Sequence, residues 1–156
     1  MLYFREIDVV KDRSTIIEFR KDSFKVSFGD PSPFGEEEDY VQWVKEKMID
    51  YPDGFVLLEL DHIPIGQVEL SIRSYEDREI GYVHLYYICE QYRGKGYGKL
   101  LHDYAINFFK RNHIKEFHLR VSPTNKRAIQ FYRKIGLDEI GPELDGKVIR
   151  MRGIVS

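Results

Sequence analysis

Apolar and polar residues alternate in "LYFREI" at the start of the chain, the two-residue period of a strand with one buried face. The period changes in "KDRSTIIEFRKDSFKVSF". There Ile16, Ile17 and Phe24 take helical spacing, and Asp12 or Ser14 stands where an N-cap is needed. "GDPSPFG" breaks that helix with two prolines and two glycines. "EEEDYVQWVKEKM" opens a second helix with acidic residues at its positive end, and Tyr40, Val41, Val44 and Met48 form its apolar face. After the turn "YPDG", the runs "FVLLEL" and "QVELSI" read as strands joined by a connection at "DHIPIG". "EIGYVHLYYI" is a longer strand, rich in β-branched and aromatic residues.

Beyond a glycine-rich stretch, "KLLHDYAINFFKRN" repeats Leu100, Leu101, Tyr104, Ala105, Phe108 and Phe109 with helical period. "EFHLRV" is a strand. "NKRAIQFYRKIG" is a helix with Ala128, Phe131, Tyr132 and Ile135 on one side and Gly136 as its stop. "LDEIG" and "KVIRMRGIV" are two closing strands. The order β-α-α-β-β-β-α-β-α-β-β predicts an α/β (mixed α+β) layer architecture, a mixed sheet with helices on both faces.

At 156 residues the chain has room for one domain, taken as 1–156, and for a core that needs no staples. One cysteine, Cys89, excludes an internal disulfide framework and a multi-cysteine zinc site. The histidines His62, His102, His113 and His118 show no metal-ligand spacing, so no metal is expected. A formal charge of -2 gives no nucleic-acid footprint. The first residues carry charges and lack the apolar core of a secretory signal. No run reaches the roughly 20 apolar residues of a membrane span. The expectation is a cytoplasmic protein without a membrane partner.

The chemistry gathers in "ICEQYRGKGYGKLLHDY", where a strand gives way to a helix. Glycine permits positive φ and leaves no Cβ to hold a ligand off. A helix opening there offers unpaired N–H groups and the positive end of its dipole to an anion. Arg93 and Lys95 add charge of the matching sign, so a phosphate-bearing ligand is the physical expectation; a loop that merely turns is the competing one. The stretch does not fit the P-loop, which needs lysine followed by serine or threonine. It does not fit the dinucleotide fingerprint either, since the glycines fall at 94, 96 and 98 and follow several strands.

It does fit Arg-x-x-Gly-x-Gly, filled by Arg93, Gly96 and Gly98, and so resembles the acyl-CoA loop of the GCN5-related N-acetyltransferase (GNAT) superfamily. "SPTNKRAIQFYRKIGL" resembles the second signature of that superfamily, and together the match runs from about Glu79 to Leu137. The resemblance implies a central, mostly antiparallel sheet whose middle strand and the next splay to admit the pantetheine arm. It implies transfer of an acetyl group from acetyl-CoA to a primary amine by direct attack. The backbone of Arg93, Gly94, Lys95, Gly96, Tyr97, Gly98 and Lys99 would then hold the pyrophosphate. Ile88 would pair with the pantetheine arm, with a nearby amide polarising the thioester. Asn125 would touch the cofactor arm, although it is equally well explained as a helix N-cap. Tyr132 would protonate the leaving thiolate, against a reading as ordinary core.

For the base that deprotonates the amine, His84 on the central strand titrates in a suitable range, with Glu69 and Glu79 as exposed strand-end alternatives. Alternation predicts that Tyr82 and His84 share a face with Ile88, opposite Val83, Leu85 and Tyr87. Cys89 as an acylated nucleophile competes with a buried apolar role, which is commoner for free cysteine. The acidic run Glu36, Glu37, Glu38 and Asp39 would steer a cationic amine if it lay at the site entrance, and is otherwise a solvated helix start. A small-molecule amine is the expected acceptor. A protein or peptide amine, or an acyl-CoA-binding sensor without turnover, are the alternatives. The two terminal strands leave room for a homodimer.

Overall fold

The computed structural model describes residues 1–155 and orders seven strands as β1-β2-β3-β4-β5-β7-β6. They are β1 (Leu2–Glu6), β2 (Phe55–Leu60), β3 (Ile63–Tyr75), β4 (Arg78–Ile88), β5 (Glu116–Val121), β6 (Asp138–Glu143) and β7 (Val148–Ile154). The helices are α1 (Arg13–Phe28), α2 (Glu37–Asp50), α3 (Tyr97–Arg111) and α4 (Lys126–Lys134). Every neighbouring pair is antiparallel except β4 with β5, which is parallel. The element order read from the sequence is the one observed.

Two details differ. The β2–β3 connection is only Asp61–His62, both at positive φ, so "IPIG" already belongs to β3. Two left-handed residues in succession match the twist of a tight hairpin and allow pairing to begin at once. At the start of α1, Asp12 occupies the cap position without capping its own helix. Its carboxylate instead accepts the Asp8 N–H at 2.7 Å and both ends of the Arg5 guanidinium, which ties the helix to β1.

Two apolar clusters sit on opposite faces of the sheet. One packs α3 and α4 against the strands through Leu101, Phe108, Phe109, Phe117, Ile129 and Met151, all buried. Phe109 stacks on Phe117 with ring centroids 5.4 Å apart. The other packs α1 and α2 over β2 and β4 through Ile16, Phe19, Val44, Phe55, Leu57 and Leu85. Burying each such side chain contributes about 1.5–3 kcal/mol. No residue of β5 or β7 belongs to this second cluster, so beyond β4 that face of the sheet has no apolar helix cover.

The central strand carries one irregularity that positions the site. Leu70 stands opposite Val83 while Glu69 stands opposite Leu85, so His84 is an extra residue in β4. Such a bulge resets the alternation of side chains. Val83, Tyr86 and Ile88 point toward α3 and α4, whereas Leu85, Tyr87 and Cys89 join the α1–α2 cluster. His84 meets Trp43 of α2 at 4.9 Å and Tyr82 at 4.8 Å. Simple alternation therefore failed here: Tyr82 and His84 lie on the face of Leu85 and Tyr87, opposite Ile88.

Candidate functional site

Strands β4 and β5 pair only at Gly81–Phe117, Tyr82–His118 and Val83–Leu119, although β4 runs on to Ile88 and β5 to Val121. Past Val83 the two strands part and leave a wedge. The Cys89 N–H bonds the Ile65 carbonyl at 2.8 Å, which makes Cys89 and Ile65 a hydrogen-bonded pair. Ile88 is then a non-bonded position opposite Gly66, and its own N–H and C=O face away from β3, into the wedge. Arg93 takes the carbonyl through Nε at 2.7 Å. The N–H has no strand opposite it. The amides of Tyr86 and Ile88 thus both face the wedge, and Ile88 is the one nearer its open end, since the next amide, that of Cys89, is already committed to β3.

At the open end of the wedge the chain makes a short turn at Glu90–Tyr92 and enters α3. Gly94 and Gly96 take φ of +76° and +87°, the left-handed region that glycine enters without strain. The amides of residues 94–99 have no hydrogen-bond partner among the described residues. Six consecutive free donors at the positive end of a 15-residue helix form a cradle for an anion. Gly98 serves a different purpose, because a Cβ there would stand 3.2 Å from the Phe131 ring of α4. It lets α3 and α4 close together beside the cradle.

The charged side chains around the cradle divide by role. Arg93 turns inward, with Nη2 on Asp22 of α1 at 2.9 Å, so its guanidinium braces the loop. Lys99 pairs with Asp103 one helical turn on. Lys95 lies over the Tyr92 ring. Arg127, in the first turn of α4, reaches to within 3.3 Å of where a Gly94 side chain would begin. Sequence reading missed Arg127, which carries no spacing signal and meets the loop only through the packing of α4. Asn125 caps α4 by accepting the Ala128 N–H at 3.3 Å, and its amide nitrogen lies 3.5 Å from Ser27 Oγ.

On the α4 side of the wedge, the Tyr132 ring lies 6.4 Å from that of Tyr86, and its hydroxyl has no partner among the described residues. Burial alone pushes its pKa up to about 12. Across the sheet, His84 bonds Ser71 Oγ through Nε2 at 2.6 Å. Burial first, then the positive charges of Arg20, Arg73 and Lys47, hold its pKa down at about 3. It is neutral at neutral pH and far weaker as a base than an ordinary histidine.

Glu69 is fully buried, not exposed as its strand-end reading held. Arg20 Nη1 meets it at 2.5 Å, and Tyr40 and Gln67 complete its partners. Burial raises its pKa in spite of Arg20. Glu79 is exposed at the end of β4. Cys89 is half-buried and its thiol is pushed up by burial, the opposite of a nucleophile's shift. In the acidic run, Glu37 pairs with Lys21 and Glu38 with Arg13. Asp39 alone of that run lines a pocket of about 230 Å³ formed with Arg20, Phe24, Phe34, Tyr40 and Trp43. Phe24, which shares helical spacing with Ile16 and Ile17, is a wall of this pocket. Among the described residues no three His, Cys, Asp or Glu side chains converge to hold a metal, and no helix is long and apolar enough to cross a membrane.

The profile of the acetyltransferase (GNAT) family matches residues 15–137, most of the chain. The chain belongs to the GNAT family. Over 103 residues it is 31% identical to an uncharacterized N-acetyltransferase of Methanocaldococcus jannaschii, a region that is 64% of this chain and 44% of that one. An uncharacterized N-acetyltransferase of Archaeoglobus fulgidus is 26% identical over 98 residues, 61% of this chain and 65% of the other. The GNAT chain thus aligns with about half to two thirds of the length of these relatives. Among solved structures, the PaiA N-acetyltransferase of Thermoplasma acidophilum, in complex with coenzyme A, superposes with a TM-score of 0.75 at 23% identity over 99% of both chains. Naa50 of Arabidopsis thaliana, in complex with a bisubstrate analogue, gives 0.72 at 18% identity over 97% of both. These likenesses establish the GNAT fold.

Proposed function

We propose that this GNAT protein transfers the acetyl group of acetyl-CoA to the primary amine of a small molecule. One observation carries the reading: six free amides at residues 94–99 open onto the mouth of a wedge whose inner wall presents the Ile88 N–H. A diphosphate followed by a long narrow arm fits that sequence of donors, and when bound acetyl-CoA supplies the acetyl thioester. The amides of Gly94, Lys95, Gly96, Tyr97, Gly98 and Lys99 hold the pyrophosphate, with Arg127 and Lys95 adding charge, while Arg93 sets the loop. Asn125 orders the start of α4 against the arm.

Within the wedge, the Ile88 N–H donates to the thioester oxygen, where negative charge grows as the amine attacks. Tyr132, kept protonated by burial, donates its hydroxyl to the sulfur as the thiolate departs. A thiol has a pKa of about 8.5, so full proton loss from Tyr132 runs uphill unless another proton replaces it. That proton comes from the attacking amine. Burial first, and then the nearby positive charges, hold His84 near a pKa of about 3, and the same two effects disfavour an ammonium beside it, so the amine reaches the wedge neutral. His84 is left as an acceptor that orients the amine.

The pocket of about 230 Å³ walled in part by Trp43, whose ring meets His84, suits a small acceptor. A peptide amine is the second reading, favoured by the bisubstrate complex of Naa50. Calorimetry with coenzyme A, followed by thiol release from acetyl-CoA across a panel of amines and peptides, tests both. Binding without release across the panel would leave an acyl-CoA sensor, and no binding at millimolar concentration would end the transferase reading.

A further inference from the structure

Tyr82 and Val83 are the last two residues of β4 that pair with β5, so Tyr82 stands at the apex of the wedge. Its ring lies on the face that α1 and α2 leave uncovered beyond β4, where it is itself buried beneath arginine side chains. The Arg73 guanidinium sits 4.6 Å from the Tyr82 ring centroid, and that of Arg150 sits 5.9 Å away. Arg120 and Arg150 share a single carboxylate, Glu143, each at 2.9 Å. Arg73 is exposed and pairs with no carboxylate among the described residues. Arg150 also donates to His118 Nδ1 at 2.8 Å, and His118 meets Glu116 through Nε2, so the imidazole is neutral and adds no charge to the group. Three guanidiniums against one carboxylate leave an uncompensated positive charge in a chain whose formal charge is -2.

Helices α3 and α4 fill the opposite face, where Val83, Tyr86 and Ile88 join the core. An acceptor therefore approaches the apex from the side of Tyr82 and His84. We infer that the acceptor amine also carries a carboxylate, which docks on Arg73 and Arg120 beside Tyr82. This rests on the transferase reading of the same site and names its substrate class. A guanidinium fork engages a carboxylate with two parallel hydrogen bonds, which fixes the amine's orientation as well as its affinity. The same charge repels a polyamine. Trp43, whose ring meets His84, also walls the pocket formed with Arg20, Phe24, Phe34, Asp39 and Tyr40, and its four aromatic rings take an apolar group, which points to an amino-acid-like molecule.

The test is calorimetry on the full chain with coenzyme A present, using phenylalanine, phenylalaninamide and phenethylamine as matched probes. The expected result is about tenfold tighter binding of phenylalanine, the worth of one charge-assisted pair. Arg73→Ala should erase that preference while leaving coenzyme A affinity intact, and Arg73→Lys should restore part of it. The inference is overturned if the amide or the amine binds as well as the acid, if none of the three binds, or if the preference survives Arg73→Ala. A preference that persists in a protein showing no acetyl transfer would count against the transferase reading and not against the carboxylate site. Selective binding of acidic peptides in place of phenylalanine would also overturn it.

Discussion

Arg93 Nε donates to the carbonyl of Ile88 at 2.7 Å, so the last residue of the central strand and the anion cradle are held to one another. The same guanidinium reaches Asp22 on α1, and three elements are locked by one planar group. A lysine keeps the charge but cannot make both contacts in fixed geometry. Arg93→Lys should therefore raise the KM for acetyl-CoA and lower kcat together, each by about tenfold, because loop and donor both lose their setting. Steady-state kinetics against acetyl-CoA would check this. Wild-type constants in the variant would show that the brace has no bearing on the site.

Gly96 sits at φ +87°, where an L side chain costs about 1–2 kcal/mol. Nothing crowds its missing Cβ, so the cost in Gly96→Ala is conformational. Relief comes only by turning the peptide, which re-aims the amides on either side. Gly96→Ala should weaken coenzyme A binding by calorimetry about tenfold while lowering the melting temperature only a few degrees. A large thermal loss with unchanged affinity would contradict this.

Tyr132 makes no hydrogen bond in the free protein, so removing its oxygen breaks nothing there. Tyr132→Phe should leave the melting temperature and coenzyme A affinity near wild type and reduce kcat by about a hundredfold, the scale of a general-acid contribution. Unchanged turnover would remove Tyr132 from the chemistry and return it to the core.

The residues that were legible in the sequence act through local backbone chemistry. The glycines at 94 and 96, the cap at Asn125 and the helix stop at Gly136 each declare a conformation within a few residues. What could not be read depends on partners distant in the chain. Alternation along β4 gave the wrong face for Tyr82 and His84 relative to Ile88, because the extra residue at His84 is defined only by the register of β3. Glu69 looked like a strand-end charge until Arg20, Tyr40 and Gln67, from two helices and its own strand, closed around it. Arg127 reached the loop only through the packing of α3 on α4 at Gly98.

The buried pair of Glu69 and Arg20 makes its own prediction. Glu69 has no exposure, and its carboxylate is satisfied by three side chains. Glu69→Ala strands the Arg20 guanidinium and two further donors, which should cost about 3–5 kcal/mol in urea unfolding. Replacing both partners, Arg20→Met with Glu69→Leu, removes the desolvated charges together and should recover much of that loss. If the single and double variants were equally unstable, the cost would lie in lost volume and not in the stranded charge.

Acid sensitivity follows from the same electrostatics. The pKa of His84 falls from about 6.5 when unfolded to about 3 when folded, and burial lowers His118 and His102 as well. Between those limits the unfolded chain binds protons that the folded chain refuses, so stability rises with pH and is lost as pH falls from 6.5 toward 3. Carboxylates held low, such as Glu116 at about 2, act only below about pH 4.5, which assigns the onset near 6.5 to the histidines. His84→Gln should flatten the loss of urea stability between pH 7 and 5, and it should leave the acid limb of the pH–rate profile unmoved. An imidazole resonance of His84 titrating near 6.5 would refute the electrostatic argument for a neutral amine at its side.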